Sequence, residues 1–286
     1  MNKLEINNIS KNYKDIKALR NVSICLEENK IYGLLGRNGA GKTTLLNIIN
    51  NRIFADSGTV TLNGENVKEN DAILRQFYFT SEKILFPDAM KVKNIFKWTK
   101  EFYPDFDTDY AMHISELFEL PFHKKSSALS TGYKSILKNV LALSVNASYI
   151  FLDEPVLGLD ANHRELFYRL LIEKYSENPF TIVISTHLIE EVSNIIENVI
   201  IIKKGQIIEN DTCEALLQRG YALSGTQPHI NNYIQEQNLT QQIIGEECLG
   251  NLKTVYIMGT PASEMPDGLE ISSLDLQKLF IQLTNI

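Results

Sequence analysis

The segment Gly36-Arg37-Asn38-Gly39-Ala40-Gly41-Lys42-Thr43-Thr44 constrains this chain more than any other feature. It follows an apolar run, Ile31 to Leu35, and opens a helical pattern, Lys42 to Asn50. The spacing Gly-x-x-x-x-Gly-Lys-Thr lets backbone N–H groups wrap a phosphate chain, and the helix that follows aims further amides and a positive dipole end at the same place. Gly36, Asn38, Gly39, Ala40 and Gly41 are therefore candidate phosphate-binding positions. Lys42 is expected to reach the β- and γ-phosphates, the Thr43 hydroxyl to help hold Mg²⁺, and Thr44 to add a donor to the α-phosphate. A glycine turn that merely joins strand to helix is the plain alternative; the complete spacing and the preceding strand count against it.

Two more apolar runs end on chemistry-bearing side chains. Tyr149 to Leu152 delivers Asp153 and Glu154, and Thr181 to Ser185 delivers Thr186 and His187. In an α/β fold, ligands gather at such strand ends. Asp153 suits a Mg²⁺ ligand, usually through water, and Glu154 is placed to polarise an attacking water. Alone, two carboxylates after a strand would read as a helix cap; beside a glycine–lysine–threonine loop they read as a site. His187 would orient that water or donate to the γ-phosphate, whereas His113, His123, His163 and His229 read as structural. Glu154, His187 and Lys42 are the candidate catalytic residues.

Strand-like runs at Lys3–Ile9, Val22–Leu26, Ile31–Leu35, Thr59–Leu62, Tyr149–Leu152, Thr181–Ser185 and Val199–Ile202 are rich in β-branched and aromatic residues. Several are apolar without alternation, as suits a parallel sheet buried on both faces. Helical patterns at Lys42–Asn50, His163–Tyr175 and Leu188–Ile196 lie between them, which predicts an α/β core with crossover connections. From about 87 to 146 the pattern changes to helices, at Val92–Phe102, Tyr110–Leu120 and Ser130–Val145. Beyond residue 218 come a short apolar run (Tyr221–Leu223), a helix (Pro228–Gln237), a strand (Lys253–Met258) and a last helix (Leu274–Leu283). The expected organisation is one domain over 1–218 with a helical insertion, and a small α/β appendage over 219–286.

Composition bounds the partners. A net charge of −7 and a pI of about 5.4 argue against nucleic acid, which needs a basic face. The three cysteines, Cys25, Cys213 and Cys248, are too scattered for a metal site and read as reduced thiols of a cytoplasmic protein. The first residues lack the apolar stretch of a secretion signal, and no run approaches the roughly 18 to 20 apolar residues of a membrane span. Any membrane role is expected to come through a partner.

Between the glycine loop and Asp153 stands Leu129-Ser130-Thr131-Gly132-Tyr133, and after Glu154 stands Gly158-Leu159-Asp160. With the glycine loop, the Asp153-Glu154 strand and His187 they occur in the order of an ATP-binding cassette (ABC) transporter nucleotide-binding subunit. Residues 1 to about 215 resemble that family. The resemblance implies a phosphate-loop NTPase core of ABC ATPase type, with ATP and Mg²⁺ as ligands and ATP hydrolysis as the activity. It implies a dimer, with a second copy of the chain facing the first head to tail. Ser130 and Gly132 of one copy would then meet the γ-phosphate held by the other. Tyr13 would stack on adenine, and Asp160 would stand in the loop bridging the two sites. A separate integral-membrane permease is the implied third component, which would hold the ATPase on the inner face of the cell membrane.

The sequence departs from the family at two places. The signature reads Leu-Ser-Thr-Gly-Tyr rather than Leu-Ser-Gly-Gly-Gln. Where the family carries a metal- or water-contacting glutamine, alignment on Leu85-Phe86-Pro87 puts Ser81, with Glu82 beside it; Glu82 is the candidate substitute and a candidate metal ligand. Phe102-Tyr103-Pro104-Asp105-Phe106-Asp107 and the tail around Leu269 to Phe280 resemble a Gram-positive branch that includes exporters of, or defences against, antimicrobial and membrane-active peptides. The competing class is a soluble ABC ATPase with a mechanical or regulatory role; the chain lacks the long coiled coil of the DNA-maintenance relatives and has one cassette rather than two.

Overall fold

The fold, a computed structural model, is described for residues 2–81, 86–262 and 265–285. It opens with β1 (Lys3–Tyr13) and β2 (Ile16–Glu27), then β3 (Ile31–Leu35) and α1 (Lys42–Ile49). Next come β4 (Ser57–Leu62), β5 (Glu65–Asn66), the single turn α2 (Asp71–Leu74) and β6 (Phe77–Thr80). The helical insertion holds α3 (Val92–Phe102), α4 (Thr108–Leu117) and α5 (Thr131–Ser144). The chain returns through β7 (Tyr149–Asp153), α6 (Ala161–Glu177), β8 (Thr181–Thr186), α7 (Ile189–Val192), β9 (Asn198–Lys203) and β10 (Gln206–Thr212). The final elements are α8 (Cys213–Gln218), β11 (Gly220–Thr226), α9 (Gln227–Glu236), β12 (Ile243–Leu249), β13 (Leu252–Met258), β14 (Leu269–Ser273) and α10 (Leu276–Thr284).

The central sheet has the order β10-β9-β3-β8-β7-β6, all parallel except the β10 edge. Every residue of β3, β7 and β8 is buried, which is why these runs are apolar without alternation. Register decides the site. Leu35 pairs with Thr186, and Asp153 pairs with Ser185. The glycine loop, Asp153-Glu154 and His187 therefore leave one end of the sheet side by side.

A second sheet, β2-β1-β4-β5, is antiparallel. β1 continues past the expected Ile9 because Asn8 takes a φ of 52° and the register slips there, bringing Ile9 back to the buried face. Tyr13 is thus the last residue of a strand. The third sheet, β12-β13-β11-β14, builds the C-terminal appendage. Ala222 and Tyr256 on its strands, with Leu276, Leu279 and Phe280 of α10, join the same buried cluster as the parallel sheet and helical insertion. The appendage also has its own small core around Leu223, Ile230 and Val255.

Several strands carry no sequence signal of the usual kind. β6 is only four residues long (Phe77–Thr80), aromatic and largely buried, and pairs with β7 at the sheet edge; its shortness rather than its composition hid it. β10 is polar and half-exposed, as an edge strand is when it guards a sheet. β12 and β14 are mostly solvent-facing. The helix expected over 188–196 is reduced to α7, one turn long, before the chain bends toward β9.

Candidate nucleotide site

The glycine loop folds as its composition requires. Gly41 caps α1 with a φ of 115°, and a Cβ there would lie 2.8 Å from the Ala18 carbonyl oxygen and 2.9 Å from a Leu19 methyl. Only glycine meets both demands. α1 then presents its first amides toward a cleft of about 410 Å³, bordered by Tyr13, Ile16, Arg20, the loop residues 38–44, Asp153, Glu154 and Gly205. The cleft falls within the range of small-ligand pockets.

Lys42 is buried, and its Nζ donates to the Gly36 carbonyl at 2.6 Å while standing 3.9 Å from Glu154 Oε1. Burial pulls its pKa below the ordinary lysine value; the carboxylates of Glu154 and then Asp153 oppose that. A buried ammonium held by one carbonyl and standing near Glu154 gains from any anion seated in the cleft.

Asp153 is buried with both oxygens engaged: Thr43 Oγ1 donates to Oδ2 at 2.7 Å and Ser185 Oγ to Oδ1 at 2.9 Å. A hydroxyl and a carboxylate meeting at the loop end of a cleft form an all-oxygen donor set of the kind hard divalent cations take. Glu154 occupies a left-handed backbone conformation, φ 51°, anchored by its N–H to the Ser185 carbonyl at 2.8 Å. Such a conformation costs on the order of 1–3 kcal/mol for a non-glycine residue and clusters at functional sites. Its side chain is aimed: Oε2 receives Thr186 Oγ1 at 3.3 Å and lies 2.9 Å from His187 Nδ1. With the proton on Nδ1, His187 donates to this carboxylate.

Tyr13 stands 45% exposed at the mouth of the cleft, with Lys11 Nζ 5.7 Å from its ring centre. Ser130 caps α5, accepting from the Tyr133 N–H at 3.2 Å. Asp160 caps α6, and the His163 backbone N–H and then its ring hold the Asp160 carboxyl below the usual carboxylate range. Gly132 packs against the aspartate loop: a Cβ on it would lie 2.9 Å from the Gly158 carbonyl. The structure thus brings Tyr13, Lys42, Thr43, Thr44, Asp153 and Glu154 to one cleft, with His187 on Glu154. Ser130, Gly132 and Asp160 do not line it. Ser81 Oγ accepts from Arg52 at 3.4 Å and its carbonyl from Lys138 at 3.0 Å. Glu82 lies outside the described residues.

Sequence reading missed Ser185 and the wall formed by Ile16, Arg20 and Gly205. A serine in the otherwise apolar run Thr181–Ser185 was a usable sign for the first; nothing local marked the others.

The sequence profile of the family described as ABC transporter matches residues 19–157. Bacillus subtilis (strain 168) "ABC transporter ATP-binding protein YtrB" is 35% identical over 189 residues, covering 66% of this chain and 65% of that protein. "Methionine import ATP-binding protein MetN" of Clostridium acetobutylicum is 32% identical over 74% of this chain and 70% of its own length. The chain belongs to the ABC transporter family. As an ABC cassette it is an ATPase with an ATP site, and the fold agrees. The dimeric structure of the bacterial ABC transporter cassette MJ0796 superposes with a TM-score of 0.65 at 24% identity, covering 73% of this chain and 98% of that one. The match to YtrB spans just under two thirds of that relative. Among the described residues of this cassette no helix is long and apolar enough to cross a membrane.

Proposed function

We propose that this chain hydrolyses ATP with Mg²⁺ between two head-to-tail copies of itself and drives a separate membrane-spanning exporter. The observation that carries the reading is the contact of His187 with Glu154, 2.9 Å apart beside the buried Thr43–Asp153 pair.

The residues have these roles. Loop amides from Gly39 to Thr44 and the Lys42 ammonium hold the phosphates, and Tyr13 stacks on the base. Thr43 and Asp153, the latter through water, would hold Mg²⁺, which when bound neutralises charge building up on the phosphate oxygens. Glu154 accepts a proton from the attacking water, and His187 keeps the carboxylate turned toward it. Ser130, Gly132 and Asp160 stand outside the cleft of their own chain, as fits residues that complete the site of a second copy. ATP favours the closed pair; release of phosphate reopens it.

A groove of about 1090 Å³ runs beside α2, β6 and α3, lined by Tyr78, Phe86, Met90, Trp98 and Phe102 among others. Trp98 and Phe102 stack at 6.1 Å while 52% and 64% exposed. Exposed paired rings beside an apolar groove suit a permease segment. That partner would keep the ATPase at the cytoplasmic face of the membrane. Export of antimicrobial or membrane-active peptides rests on the resemblance of Phe102–Asp107 and the tail.

The test is complementation. Lys42→Ala and Ser130→Ala copies, each inactive alone, should regain turnover when mixed, because one composite site is then intact. Mixtures as inactive as their parents, with both parents folded, would refute the shared site.

A further inference from the structure

Arg164, on the first turn of α6, bonds in two directions. Its Nε donates to the Leu159 carbonyl at 2.8 Å, one residue before Asp160, and one terminal nitrogen donates to Glu191 Oε1 on α7 at 2.6 Å. α7 starts two residues after His187. The second Glu191 oxygen is buried with no partner among the described residues, and so is the hydroxyl of Tyr168, one helical turn along from Arg164. Arg164 is therefore the ion-pair partner shown for Glu191.

These contacts close a ring. From Glu154 the chain runs through Val156 to Leu159. The Leu159 carbonyl is held by Arg164, Arg164 holds Glu191, and the chain runs back from Glu191 to His187, which meets Glu154 at 2.9 Å. The path is stiff. The Leu157 and Leu159 N–H groups bond back to the Glu154 and Val156 carbonyls at 3.2 and 3.1 Å. Thr186 Oγ1 accepts from the Leu188 N–H at 3.0 Å, and Ile189 and Val192 anchor α7 in the core. In a ring of this size, moving the aspartate loop moves the histidine or breaks a contact.

We infer that Arg164 is a positioning residue: it ties the loop carrying Asp160 to α7, so that His187 faces Glu154 only while that loop is held in place. The inference rests on the proposed roles of Glu154 and His187. It explains why one arginine spans both elements. A planar guanidinium offers fixed, divergent N–H directions from three nitrogens, whereas a lysine ammonium gathers its three donors on one nitrogen and cannot span both acceptors in the same geometry.

The experiment is a double-mutant cycle on the whole chain between Arg164→Lys and His187→Ala, read by single-turnover ATP hydrolysis, ATP affinity, thermal unfolding and the His187 ring-nitrogen NMR signal. Arg164→Lys should lower the hydrolysis rate at least about tenfold, leave ATP affinity within about twofold and shift the His187 signal. In the His187→Ala background the same substitution should cost less than about twofold. A wild-type rate in Arg164→Lys, or losses that multiply in the double variant, would overturn the inference while leaving the site intact. A wild-type rate in His187→Ala would overturn the reading of the site and the inference together. Should Arg164→Lys fail to fold, Glu191→Gln takes its place with the same expected losses, since it keeps the side-chain shape and removes the charge.

Discussion

Thr43 Oγ1 donates to Asp153 Oδ2 at 2.7 Å, joining two residues 110 positions apart at the floor of the cleft. The bond fixes the hydroxyl that follows the loop lysine against the carboxylate that ends β7. Asp153→Asn keeps the volume and an acceptor for Thr43 but removes the charge. The Mg²⁺ concentration for half-maximal ATP turnover should then rise by about tenfold or more. An unchanged Mg²⁺ requirement would rule out Asp153 as the proposed metal ligand.

Glu154→Gln retains an acceptor for His187 and loses the carboxylate proposed to accept the proton. Turnover should fall by about 100-fold or more, while ATP binding persists and the variant accumulates as an ATP-dependent dimer on gel filtration. A variant that stays monomeric with ATP bound would count against the closed pair.

Gly132→Ala puts a methyl group 2.9 Å from the Gly158 carbonyl, a backbone atom that cannot swing aside. The helix start and the aspartate loop must part, at a cost of about 1–3 kcal/mol. The melting temperature should drop and hydrolysis should fall, with ATP affinity little changed because the glycine loop is untouched. An unaltered melting temperature would show that the two loops are not packed as described.

Lys278 Nζ bonds Glu247 Oε1 at 2.7 Å, fastening α10 to β12. The Lys278 hydrogen bond holds the Glu247 carboxyl below its ordinary value of 4.5, and Glu247 raises Lys278 above 10.5. A lowered carboxyl contributes stability above its unfolded pKa and loses it as pH falls through the folded one. A raised lysine contributes below its unfolded pKa and loses it as pH rises. The pair therefore acts between about pH 4.5 and 10.5 and weakens outside that window. Glu247→Gln should lower the melting temperature at pH 7, and the difference from wild type should shrink as pH falls below 4.5. A constant difference across that range would rule the pair out as the cause. Glu247 is exposed and Lys278 only half-buried, so solvent screens the pair and the effect is small.

Trp98→Ala with Phe102→Ala removes two stacked, exposed rings. Stability should change by less than about 0.5 kcal/mol, and ATP hydrolysis by the purified chain should hold. Co-purification with the proposed permease from detergent should be lost. Retained co-purification would move the docking surface elsewhere.

Legibility followed the range of the physics. β3, β7 and β8 were readable because strands buried on both faces are mainly apolar without alternation, the polar Asp153, Ser185 and Thr186 falling at their ends. α3 was readable to the residue because its buried positions, Val92, Ile95, Phe96 and Thr99, repeat at helical spacing. β10, β12 and β14 were not, because an edge or solvent-facing strand owes its conformation to its neighbour rather than to its own side chains; β6 was not, because four residues are too few to show a pattern.

Residues 36–44 alone determined the phosphate loop. Its glycines, lysine and threonines act through their own backbone and the helix they begin, so adjacency in the chain suffices. The apolar strands likewise announced that Asp153, Glu154 and His187 would stand at strand ends. That Glu154 meets His187, that Ser185 holds Asp153, and that Arg164 ties Leu159 to Glu191 were decided by the tertiary structure. Each joins residues on separate strands or helices, and only the register of β7 on β8 and the packing of α6 against α7 set those distances.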